Sequence, residues 1–190
     1  GEGTSGAMLF ETTVTIDSYI DNYSEYENWT EIPISNVEVT EGQQYTIHTW
    51  EGSDWCGMPP CYSWGMNTDD SYDYPGGLFY YAGEPYSGGQ SDCAFAVNMT
   101  DPMAAGTNGT VSAITNNCHE GGIDQSFLIV NNGGGEDRAQ SFTSGMSGTI
   151  SSILLPLNIM MESQTINVGI HEGEGTSGAM LFETTVTIDS

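Results

Sequence analysis

The chain has 190 residues and carries 26 acidic side chains against a single basic one, Arg138, for a formal net charge of −25. That balance excludes nucleic-acid binding through neutralised phosphates, and it argues against docking on an anionic membrane surface or inserting into one directly. A chain this acidic can stay unfolded, but 10 Tyr, 6 Phe and 4 Trp supply a core, and the expectation is a folded, β-rich, extracellular protein.

Residues 1–18 read GEGTSGAMLFETTVTIDS, and residues 173–190 read the same at every position. The offset of 172 makes the chain one period plus an overlap. Two arrangements explain this: a tandem array, or separate chains that lend a terminal strand to a neighbour. The opening Gly1-Glu2-Gly3, without initiator Met or signal peptide, reads as a cut from something larger. Met8, Phe10, Val14 and Ile16 give the first copy an apolar face. Its missing hairpin partner is expected to come from the preceding repeat, because an open strand edge recruits other chains.

Further strands follow in chain order. Ile32–Thr40 places Val37 and Val39 on one face, and Gln44–Trp50 alternates Tyr45, Ile47 and Thr49. Leu78–Ala82 and Cys93–Met99 are strands. Gly109–Thr115 and Gln125–Asn131 read as strands within a connector, 103–137, that is either a plain linker or a short hairpin, ending in the flexible Asn131–Gly135. Thr149–Ile159 puts Ile153, Leu155, Leu157 and Ile159 on one face, with Pro156 marking an edge or bulge. Ile166, Val168 and Ile170 form a strand. The Gly-rich turn 172–178 then leads to another, with Met180, Phe182, Val186 and Ile188 on one face. No window of 11 or more residues has helical spacing, so the expected class is all-β, an antiparallel sandwich or barrel.

The runs 140–159 and 166–188, followed by Trp29-Thr30-Glu31-Ile32, Gly42-Gln43-Gln44-Tyr45, Tyr74-Pro75-Gly76-Gly77 and Asp92-Cys93-Ala94-Phe95, resemble a bacterial extracellular jelly-roll module. Such modules are similar to carbohydrate-binding jelly rolls and occur in giant repetitive cell-surface adhesins, including gliding adhesins of the Bacteroidota. The resemblance implies a jelly-roll-like sandwich completed across the repeat boundary. Residues 1–102 would then be the later part of one module, 103–137 a connector, and 138–190 the start of the next.

Four cysteines in an acidic β chain favour disulfides and an oxidising compartment. Cys56 with Cys61 closes a short loop and leaves Cys93 for Cys118, although four cysteines allow three connectivities. Zinc is the less favoured use, because only His119 lies near Cys118. The acidic surface has a plain role in keeping a fibre soluble. A sharper role is calcium, a hard cation that takes oxygen ligands, at Asn67, Asp69, Asp70 and Asp73, or at Asp17 with Asp21; neither cluster matches an EF-hand loop. His48, His119 and His171 are isolated in sequence, and Gly145-Met-Ser-Gly-Thr149 misses a nucleophile elbow by its last glycine, so catalysis is not expected. The aromatics between residues 50 and 86, chiefly Trp50, Trp55, Trp64 and Tyr72, divide between core packing and a sugar-stacking platform. The sequence therefore points to a structural and adhesive filament of identical repeats on the cell surface, with adjacent repeats as partners. The alternative is a secreted module that binds polysaccharide.

Overall fold

The computed structural model describes residues 11–15, 29–51, 62–67, 76–86, 92–100, 110–116, 125–129, 137–159 and 164–189. Its strands are β1 (Glu11–Thr15), β2 (Thr30–Val39), β3 (Gln44–Glu51), β4 (Tyr62–Asn67), β5 (Phe79–Tyr81), β6 (Glu84–Pro85), β7 (Asp92–Cys93), β8 (Phe95–Thr100), β9 (Thr110–Asn116), β10 (Gln125–Ile129), β11 (Arg138–Thr143), β12 (Gly148–Leu155), β13 (Leu157–Ile159), β14 (Gln164–Glu172) and β15 (Met180–Asp189). No helix occurs among the described residues. A seven-stranded sheet runs β1-β15-β14-β3-β11-β5-β6. Facing it are β2-β12-β8-β9 and a smaller sheet of β10-β4-β13 with β7 on β4. The protein is a β-sandwich, and among the described strands every pairing is antiparallel except β1 with β15.

Period-two alternation builds the core. Tyr45 and Ile47 of β3, Phe142 of β11, Ile166, Val168 and Ile170 of β14, and Phe182 and Val186 of β15 point inward from the large sheet. They meet Ile32 and Val37 of β2, Phe95 and Val97 of β8, and Ile150 and Ile153 of β12. In β2 the inward phase slips by one residue at Asn36, whose φ of 61° marks an extra residue. The slip is matched by the register shift between Ile150 and Ser152 on β12, and both Ile34 and Val37 therefore face the core.

Pro156 separates β12 from β13. Lacking an N–H, it interrupts the ladder, and the chain passes from the β2-β12-β8 sheet to the β4 sheet. Its carbonyl accepts from the Gly65 N–H at 2.9 Å. The apolar face continues through the break, with Ile153, Leu155 and Leu157 all fully buried.

Three expectations change. β1 finds its partner within this chain: Glu11 pairs with Thr185 and Val14 with Ile188, parallel to the other copy of its own sequence, so no preceding repeat is needed to pair it. The described strands of 103–137 do not pair with each other as a hairpin: β9 extends β8 and β10 extends β4, in different sheets. Met180 is 42% exposed rather than inward, because the register shift between Ile170 and His171 moves it out of phase with Phe182. Strands from 29–100 and from 138–189 thus share one core.

Candidate functional site

Alternation on β3 sends Thr46, His48 and Trp50 to the outer face of the large sheet, opposite Tyr45 and Ile47. His48 is flanked in register by Ala139 of β11 and Gly169 of β14. Neither neighbour has a side chain large enough to crowd the imidazole. A Cβ on Gly169 would lie 3.1 Å from Trp50 Cζ3, so the indole lies close over that glycine, and it stacks on His48 at 4.5 Å between ring centroids.

His171 sits one diagonal step from His48 and opposite Thr46. The two rings meet with His48 Nδ1 3.1 Å from His171 Nε2. His48 Nε2 lies 3.0 Å from Asp137 Oδ2, just before β11, and His171 Nδ1 lies 3.3 Å from the Gly178 carbonyl oxygen. The contact with His48 is the main cause holding the Asp137 carboxyl below the usual carboxylate range. Burial is the main cause pushing His171 below the usual imidazole value, with the charge of His48 adding to it.

The turn after β14 folds onto this face. The Gly173 N–H donates to the Gln44 carbonyl at 2.8 Å, and Thr46 Oγ1 donates to the Gly173 carbonyl at 2.8 Å. Gly173 and Gly175 both have positive φ, and the Gly175 position packs against the Tyr80 ring. Burial, then a hydrogen bond with Glu174 and its charge, push the Tyr80 hydroxyl up to about 12. An open groove of about 600 Å³ beside the turn is lined by Gly42, Gln43, Gln44, Thr143, Glu172 and Gly173.

The histidines isolated in sequence are thus joined in space; 123 positions separate His48 from His171. What sequence did offer was phase, since both occupy the polar positions of alternating strands. The order Asp137–His48 matches the orienting half of an acyl-transfer triad. The nucleophile's place is taken by a second imidazole that faces a backbone carbonyl. The one basic residue, Arg138, is buried on the opposite face of β11, with its guanidinium 3.9 Å above the Tyr81 ring centroid.

Of the residues expected to bind ligand, Trp50 is half-buried on the outer face. Trp64 is a correction: it is fully buried, with its indole N–H donating to the Ala94 carbonyl at 2.6 Å, so it fills the core and offers no platform. Trp55 and Tyr72 lie outside the described residues. So do Asp17, Asp21, Asp69, Asp70 and Asp73 of the calcium clusters, and Asn67 ends β4. Among the described residues, no group of three or more His, Cys, Asp or Glu is arranged to hold a metal. Cys93 is fully buried and is the one cysteine among the described residues, where no disulfide is seen; Cys56, Cys61 and Cys118 lie outside them. Its N–H donates to Gln140 Oε1 at 2.9 Å. No family model, curated protein or solved structure matches this chain.

Proposed function

We propose that this chain is one period of an extracellular structural and adhesive filament, built from identical acidic β-sandwich repeats joined end to end. The observation that carries this reading is the presence of two identical segments for a single place beside β14. In a continuing array, the segment after residue 172 runs on into residue 19, so the strand beside β14 leads toward β2. Both β15 and β1 approach β2 here. One copy completes one sandwich, and a second is what a window longer than one period carries over. Because β1 is paired within its own chain, exchange of strands between separate chains is not required, and the covalent array is the favoured form.

The unit in this reading is the jelly-roll module of cell-surface adhesins. Its acidic surface keeps the fibre soluble, and its unassigned carboxylates take calcium, so chelation should lower its melting temperature. The direct test is the mass of the native assembly after reduction and denaturation. A species far above 20.4 kDa, from fibres with an axial repeat of ~40 Å for a compact unit of this length, supports the array. A single band at chain mass, or no regular fibre, overturns it.

One observation favours a second reading, polysaccharide binding: the Trp50 indole is half-buried on the outer face, close to Gly169 and stacked on His48, and aromatics on open sheet faces can stack on sugars. Glycan binding that Trp50→Ala abolishes in a folded chain would support it.

A further inference from the structure

Four imidazole nitrogens and the protons on them decide how the turn 173–178 is held. The Asp137 carboxylate accepts from His48 Nε2, so that nitrogen carries hydrogen. The Gly178 carbonyl can only accept, so His171 Nδ1 carries hydrogen as well. The two remaining nitrogens, His48 Nδ1 and His171 Nε2, face each other at 3.1 Å in a site where the residues are 9% and 5% exposed. With one proton per ring, two lone pairs meet at hydrogen-bonding distance. A third proton, on His48 Nδ1, closes a continuous chain from Asp137 through both rings to Gly178. A fourth, on His171 Nε2, sets N–H against N–H and places two cations side by side.

We propose that His48 and His171 form a single-proton latch that fastens the turn Gly173–Gly178 to the outer face when the pair holds three protons and releases it when the pair holds two or four. Burial disfavours charge on His171 and keeps it the neutral, accepting partner. The charged groups around the pair are mostly acidic. Asp137 precedes β11, Glu183 lies beyond Gly169 in the same cross-strand row, and Glu174 on the turn bonds Tyr80 of β5. Arg138 is the one cation, and it lies on the opposite face of β11 against Tyr81. The fourth proton is opposed by the first imidazolium and by burial. The turn opens the duplicated segment, so the latch acts where the sandwich meets its repeat boundary.

The signature is a bell. Amide hydrogen exchange of Gly173–Gly178, corrected for intrinsic rates, should show greatest protection within the histidine range of about pH 5–8. Protection should fall roughly fivefold to tenfold on either side, as the loss of one hydrogen bond implies, while core amides such as Val168 stay level. At the maximum, imidazole ¹⁵N shifts should show both His48 nitrogens protonated and only Nδ1 of His171. His48→Gln should flatten the bell. If that variant does not fold, Asp137→Asn should shift the alkaline limb to lower pH by removing the carboxylate that favours the imidazolium. A flat or one-sided profile, a neutral His48 at the maximum, or protection that a chelator abolishes (a metal ion in the gap) would overturn the latch.

Discussion

The same eighteen residues occupy two environments in this molecule. The later copy forms β15, antiparallel to β14, with Phe182 and Val186 in the core. The earlier copy forms β1, parallel to β15 at the edge of the sheet. Local preference makes both of them strands, but connectivity decides their partners. A short turn joins β14 to β15, whereas β1 must close a loop of 174 positions to reach Thr185. Loop-closure entropy favours the hairpin by about 3 kcal/mol, so the later copy takes the inner place. The parallel pair is also not in exact register. A slip of two residues keeps the faces aligned and sets Glu11 beside Thr185 instead of Glu183, which avoids a like-charge pair.

Deletion is the strongest way to break this comparison. Removing 173–190 strips the core of β15 and should abolish the cooperative urea transition of the monomer, whereas removing 1–18 should leave that transition in place. Equal losses would mean the two copies are interchangeable. A finer version uses a single glycine. A Cβ on Gly178 would overlap the Glu172 carbonyl oxygen, a backbone atom that cannot step aside. Gly178→Ala should therefore cost about 2 kcal/mol or more. Val186→Ala should cost about 2–3 kcal/mol through lost burial and a cavity.

The pH dependence sharpens the same contrast, because His171 and Asp137 hold the turn that leads into β15. His171 has a lowered folded value, so the unfolded chain takes up its proton first, and stability is lost as pH falls below the ordinary imidazole range. Asp137 is also lowered. Its contribution is complete above the ordinary carboxylate value and is lost as pH falls through the depressed one. Both signs agree on the acid side of the latch's maximum, so below it urea midpoints should decline on further acidification in two stages, and His171→Asn should remove the upper stage.

Much of the fold is legible in the alternation. Ile166, Val168 and Ile170, or Ile153, Leu155 and Leu157, declare their buried face in any reading of period two, and Pro156 marks an interruption of the ladder without revealing that the chain changes sheets there. What alternation cannot supply is which strand lies beside which. His48 and His171 are polar-phase residues 123 positions apart, and only the adjacency of β3 and β14 makes them a pair. Trp64 fits a sugar platform or a core equally well by type, and its strand's neighbours on both sides are what enclose it. Met180 follows the phase of Phe182 in sequence, and one shifted register after Ile170 overrules it.

A chain of two periods, residues 1–172 followed by 1–190, isolates the central claim that one sandwich is completed per period by whichever copy follows β14. Small-angle scattering of that chain should show its maximum dimension growing by ~40 Å relative to the single-period chain, with both halves resisting proteolysis. An unchanged compact particle trailing an unstructured segment of one period's length would contradict it.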